Sequence, residues 1–246
     1  MNNETTKRAN QKGFTLLELL IVLAIIAILA VILILVLNPA ETFRKARDVQ
    51  RLSDLGTMKT ALALYTTTVA TPDLDAATAI CLGSGVTTAQ IAYSSSLASG
   101  SAVTCGANVA EGTDVVPLST FNSTDSCFNV TTALAPLVDG TGWLPVNFTG
   151  IAGGSPISNL PLDPVNTTVP SATFTYSNTV LAYRYACQST GDSTHPSTVF
   201  ELDAILESAQ YGPGSADDKS AKDGGDNDSY YETGSSVRLI GTGTNF

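Results

Sequence analysis

The chain has 246 residues and a formal net charge of −10, and only 14% of its residues are charged while 43% are hydrophobic. Soluble, charge-coated globules carry roughly 25% charged residues, so that class is disfavoured. No Lys or Arg stands between Lys59 and Arg184, which leaves most of the chain without cations to grip phosphates and argues against nucleic-acid binding.

The first element is apolar. From Phe14 to Leu37 run 24 residues, of which only Thr15 and Glu18 are not apolar. A helix rising about 1.5 Å per residue would carry this run across a hydrocarbon core of about 30 Å. A cleaved secretory signal has a shorter apolar region and ends in a small-x-small site, whereas this run ends in Asn38-Pro39-Ala40. Basic residues flank both ends, Lys7, Arg8 and Lys12 before and Arg44, Lys45, Arg47 and Arg51 after, so the positive-inside rule does not orient the span. The cysteines provide a second argument. Cys81, Cys105, Cys127 and Cys187 all follow the span, and an even number in a Ser/Thr-rich region suggests two disulfides in an oxidising compartment outside the cytoplasmic membrane. Four free thiols are the alternative. Of the three pairings, the one expected is Cys81 with Cys105 and Cys127 with Cys187.

Glu18 is the anomaly in the span. A carboxylate there costs several kcal/mol unless it is paired, neutralised or hydrated at the headgroups. The stretch Lys12-Gly13-Phe14-Thr15-Leu16-Leu17-Glu18 resembles the processing site of type IV prepilins and type II secretion pseudopilins, in which a short basic leader ending in Gly precedes Phe-Thr-Leu-x-Glu and a long apolar helix. The resemblance implies that a prepilin peptidase cuts after Gly13 and that the new amine of Phe14 is methylated. It also implies that this amine pairs with Glu18 of an adjacent subunit. Removing residues 1–13 takes away Lys7, Arg8, Lys12 and Glu4, so the net charge moves from −10 to −12. The implied assembly is a homo-oligomeric helical filament, drawn from the cytoplasmic membrane by a membrane platform and a cytoplasmic ATPase.

Beyond the span, Asn38-Pro39-Ala40-Glu41 reads as a helix cap with Pro at the first helical position and Glu at the third. Phe43, Ala46, Val49, Leu52, Leu55, Met58, Leu62 and Tyr65 recur at three- and four-residue steps, the mark of a helix with one face against a domain. Gly56 weakens that helix by about 1 kcal/mol relative to Ala, and Thr66-Thr67-Thr68 and Pro72 end it. Residues 69–139 read as loops and short strands held by disulfides. Asn-x-Ser/Thr triplets at Asn122, Asn129, Asn147 and Asn166 are expected by chance in so Thr-rich a chain.

The Pro-punctuated stretch from Gly142 to Asn166 cannot be a long helix. Its Leu160-Pro161-Leu162-Asp163-Pro164-Val165-Asn166 resembles a Leu-Pro-x-Asp-Pro-x-Asn stretch that precedes the sheet in pseudopilin-like heads. Three alternating segments follow. Phe174 and Tyr176 form one, Leu181, Tyr183, Tyr185 and Cys187 the next, and Phe200, Leu202, Ala204 and Leu206 the third; each places apolar side chains on one face of a strand. The Ser177-Asn178 connection is of hairpin length. Tyr230-Tyr231-Glu232 and Val237 to Ile240 suggest a last strand.

The expected fold is α+β and pilin-like, with a long N-terminal helix packed on an antiparallel sheet head. Its divisions are a leader at 1–13, a membrane and filament-core helix at 14–37, an amphipathic helix at 38–68 and a head at 69–246.

Asp217, Asp218, Asp223, Asp226 and Asp228 lie close together around Gly224-Gly225. Hard oxygen ligands so spaced can hold Ca²⁺, and the loop resembles the calcium loop of several major pseudopilins. A solvated acidic turn is the alternative. His195 is the only histidine, so a Ser-His-Asp triad or histidine metal site would hang on one residue, and an enzyme is not expected. A membrane-anchored surface protein that does not polymerise accounts for the anchor and the cysteines, but not for the Gly13-Phe14 junction or Glu18.

Overall fold

The computed structural model describes residues 13–76, 78–83, 89–95, 112–115, 127–166, 180–191, 193 and 197–241. The basic leader, Cys105, Asn122, the Phe174-Tyr176 segment with its hairpin connection, and His195 lie outside the described residues. The chain forms two compact units, residues 1–43 and 44–246.

In the first unit, α1 (Leu16–Leu37) is built almost wholly of Leu, Ile, Val and Ala. It ends at Asn38, which adopts a left-handed conformation with φ of 39°, a conformation Asn tolerates better than most residues. Helix α2 (Pro39–Thr68) begins at once. Its first turn is capped as the sequence suggests, with the Glu41 N–H donating to Asn38 Oδ1 at 3.4 Å and to the Asn38 carbonyl at 3.1 Å.

In the second unit, α2 buries Leu55, Met58, Ala61, Leu62 and Tyr65. The predicted apolar stripe holds from Leu55 onward but not before it. Phe43 and Val49 are 66% and 53% exposed, while Asp48 and Arg51 are fully buried. The cause is chemical, because the head supplies ionic and hydrogen-bonding partners at the upstream turns and apolar ones only further along.

Five strands form one sheet: β1 (Ile91–Tyr93), β2 (Cys127–Phe128), β3 (Arg184–Gln188), β4 (Val199–Ala204) and β5 (Tyr231–Gly234). Their order is β2-β1-β3-β4-β5. The alternating segments at Tyr183–Cys187 and Phe200–Ala204, with the last strand expected at Tyr230-Tyr231-Glu232, are the antiparallel meander β3-β4-β5, in register at Tyr185↔Leu202 and Leu202↔Thr233. The expectation of a purely antiparallel sheet needs one correction. β1 and β2 pair parallel, Ile91 opposite Cys127, and parallel neighbours require a long crossover, here the chain between Tyr93 and Cys127.

Alternation sorts the sheet into two faces. Tyr183, Tyr185, Cys187, Phe200, Leu202 and Ala204 pack with α2 and with Trp143, Phe148 and Leu160. On the opposite face, Ile91, Tyr93, Ala186 and Val199 pack under Leu239 and Ile240 of the C-terminal segment. The Pro-punctuated stretch is an ordered part of the first layer, with Trp143 fully buried and its indole N–H donating to the Pro161 carbonyl at 3.0 Å.

Candidate functional site

The membrane-length helix carries the predicted assembly residues. Thr15 caps α1: its Oγ1 accepts from the Glu18 N–H at 3.2 Å, and its N–H and hydroxyl both donate to Glu18 Oε2 at 2.9 Å. This is a capping box, a role for Thr15 that the Thr-x-x-Glu spacing carried and the sequence reading did not extract. Phe14, just before it, is 88% exposed. Among the described residues no ion pair includes Glu18. Its Oε2 is held by dipoles of its own helix start. Leu16, Leu23, Ile28 and Leu33, on different sides of α1, are between 58% and 81% exposed. A helix apolar on every side needs lipid or other apolar helices around it.

Within the second unit, a buried ionic cluster fastens α2 to the head. Arg51 donates from Nε to Asp163 Oδ2 at 2.6 Å and from Nη2 to Asp163 Oδ1 at 3.0 Å. Its Nη1 reaches Asp48 Oδ1 at 2.8 Å and Glu207 Oε2 at 2.7 Å. Arg47 closes on Glu207 with two bonds of 2.8 and 2.9 Å, and Asp48 accepts from the backbone N–H groups of Glu207 and Ser208. Burial favours the neutral form of Arg51, but the hydrogen bonds and charge of Asp163, followed by those of Glu207, outweigh it and raise its pKa. For Glu207, burial pushes upward while Arg47 and Arg51 pull harder downward, holding its carboxyl below the usual range. A buried charge is tolerable only when its hydrogen-bonding capacity is filled in this way. Asp163 belongs to the Leu-Pro-x-Asp-Pro-x-Asn stretch, where a turn forms. It makes that turn, accepting from Val165 N–H at 2.8 Å, and it also anchors the helix.

Acids also meet on the far face of the sheet. Ligand-type oxygens of Glu201, Asp203 and Glu232 lie within 4.8 Å of one another, all three residues buried. Asp203 is occupied by the guanidinium of Arg184, which stacks 3.5 Å over the Tyr230 ring. Glu201 Oε2 accepts from Leu239 and Ile240 N–H at 2.7 and 3.1 Å, and Glu232 Oε2 from Asn227 N–H at 3.0 Å. The remaining oxygen of each glutamate has no donor. Burial first, then the charge of Asp203, drives the Glu201 carboxyl well above its ordinary value, and burial pushes Glu232 up to about 8. Two such carboxyls sharing one proton is the arrangement that suits a dry site.

Three of the five loop acids named as calcium ligands have partners of their own. Asp218 is buried and accepts from the N–H groups of Gly214, Ser220 and Ala221. Asp217 pairs with Lys219 at 3.0 Å. Asp223 accepts from Gly225 and Glu232 N–H. Asp226 is half-buried and Asp228 exposed. Among the described residues, no group of three acids close enough to share a metal ion includes any of the five.

The cysteines join differently from the expected pairing. Cys81 is bonded to Cys187 across a separation of 106 residues. The cause is strand-like pairing next to both residues: Leu82 bridges Gln188 in parallel, and its N–H donates to the Cys187 carbonyl at 2.8 Å. Cys127 is also disulfide-bonded.

Residues 8–34 match the family described as the prokaryotic N-terminal methylation motif. Comparison of the chain with curated proteins and with solved structures returns no match.

Proposed function

We propose that this chain, which carries at residues 8–34 the signature of type IV pilin and pseudopilin precursors, is the structural subunit of an extracytoplasmic filament. The observation that carries the reading is the start of α1. There a carboxylate, Glu18, with no cation against it among the described residues, lies four residues from Phe14 in a helix exposed on all sides. Cleavage after Gly13 would create an α-amine at Phe14, and an amine and a carboxylate from adjacent subunits would neutralise each other where each alone is costly.

Before assembly α1 would anchor the subunit in the cytoplasmic membrane. During assembly its lipid contacts would be exchanged for contacts with other copies of α1, with the amine–carboxylate pair setting the register. The prepilin peptidase supplies the cut, and a membrane platform with a cytoplasmic ATPase supplies the work of extraction. The chain acts as a scaffold and not as a catalyst. Mass spectrometry of assembled material tests the reading: the first residue should be Phe14, carrying an added methyl group. An intact Met1 terminus in filaments refutes processing, and sheared extracellular material that does not sediment as polymer favours a tethered surface protein.

A further inference from the structure

The far face of the sheet holds negative charge that the fold around it does not neutralise. Glu201 on β4 and Glu232 on β5 are 0% and 1% exposed, and with Asp203 they bring carboxylate oxygens within 4.8 Å of one another. Asp203 is accounted for, because Arg184 donates to it from Nε at 2.7 Å and from Nη2. That pair cancels, and two carboxyls remain. Among the described residues no ion pair includes Glu201 or Glu232.

Each glutamate is fixed by one oxygen and leaves the other without a donor. Glu201 Oε2 is held by the Leu239 and Ile240 N–H groups, and Glu232 Oε2 by the Asn227 N–H. Gly225 backs Glu232 so closely that an added Cβ would fall 1.9 Å from Oε2, so only glycine there leaves the carboxylate in place. The Oε1 atoms of both glutamates are buried without a hydrogen-bond partner, and the two side chains are close enough to share a hydrogen bond. Two ionised carboxylates so placed repel strongly in a dry interior unless positive charge lies between them. One proton cancels one of the two charges, whereas a divalent cation cancels both. Ca²⁺ suits the donors, since it takes carboxylate oxygens at about 2.3–2.6 Å, which lets ligand oxygens stand up to about 5 Å apart, and it completes its shell with water. A cleft of about 400 Å³ runs beside the pair. It is lined by Gly234, which lies opposite Glu201, and by Asp223, which accepts from the Glu232 N–H at 2.7 Å. Its charged residues, Lys59 and Arg238 against Asp114 and Asp223, balance.

We propose that Glu201 and Glu232 bind a divalent cation, Ca²⁺ by their ligand chemistry, through their Oε1 atoms. The ion ties β4 to β5 and, through the Oε2 bonds, to the C-terminal segment at Leu239 and Ile240. Its ligands stand on strands and are separate from the five acids of the 217–228 loop, and the site does not depend on the chain forming a polymer.

The test is the melting temperature of the full-length, detergent-solubilised chain after EGTA treatment and dialysis, measured with and without CaCl₂. At pH about 8.5, where competition from protons is weakened, about 5 mM CaCl₂ exceeds the dissociation constants of 10⁻⁴–10⁻³ M common for extracellular sites and should raise the melting temperature by several degrees. Glu201→Gln combined with Glu232→Gln, which keeps the side-chain shapes, should abolish the rise. Asp217→Asn combined with Asp228→Asn in the loop should leave it intact. No rise in the wild type overturns the proposal and leaves a shared proton as the sole neutralising group. A rise that survives in the paired Gln variant, or one that disappears in the loop variant, overturns it as well. Should the paired Gln variant fail to fold, Glu232→Gln alone carries the test by calorimetric titration with CaCl₂: loss of one ligand charge should weaken binding about tenfold or more, and unchanged affinity refutes the site.

Discussion

Arg51 and Asp163 stand 112 positions apart in the chain and meet as a two-bonded ion pair, with distances of 2.6 and 3.0 Å and both residues buried. This pair couples the helix to the stretch that crosses the head, so it determines where α2 lies on the sheet. Removing one member leaves the other charged and dry, which typically costs about 3–5 kcal/mol. Asp163→Ala should therefore lower the melting temperature of the purified chain sharply. A small change would show that water or Glu207 takes over.

The glutamates on the far face of the sheet predict the pH dependence of stability. Folded Glu232 has its pKa pushed up to about 8 from an ordinary 4.5, and Glu201 is raised as well. The folded state then holds more protons than the unfolded chain above pH about 4.5, so stability declines as pH rises from about 4.5 through about 8. Each tenfold change in proton affinity is worth about 1.4 kcal/mol. Melting temperatures should be higher at pH 5 than at pH 8.5, and Glu232→Gln, which keeps the neutral shape, should flatten that slope. An unchanged slope in the variant would place the responsible group elsewhere.

The Cys81–Cys187 bond closes a long loop, 106 residues apart in sequence. On the chain-entropy account such a closure contributes about 4–5 kcal/mol, within a usual range of about 2–5 kcal/mol. Peptide mapping without reduction should recover Cys81 and Cys187 in one linked fragment. The Cys81→Ala, Cys187→Ala double variant should unfold at a temperature at least several degrees lower than the wild type.

Glu18→Val removes the carboxylate from α1 and with it the Oε2 acceptor that Thr15 uses. Losing one cap contact costs only about 1 kcal/mol, and the variant helix is more apolar, so membrane insertion should persist. Polymer yield should fall severely, read by sedimentation of sheared material. Normal filaments from Glu18→Val would mean that register is set without the carboxylate.

Local chemistry made several features legible before any tertiary structure was known. The unbroken apolar run defines α1, the Asn38-Pro39 cap defines the start of α2, and period-two alternation finds β3 and β4. These signals depend on neighbours a few residues away. The Gly13-Phe14 junction and Glu18 were legible for a related reason, since a charge in an apolar run is anomalous by itself. Burial of Asp48 and Arg51 could not be read, because in sequence they look like any solvated charges on a helix, and only Asp163 and Glu207, brought from far along the chain, make their burial affordable. The same holds for the partner of Cys187, which depends on the segment at Leu82 lying beside β3, and for the parallel pairing of β1 with β2. The acidic turn showed its composition but not the commitment of Asp218 and Asp223 to backbone N–H groups. Periodicity and composition record what each segment needs; which distant segment meets that need is decided only when the chain closes on itself.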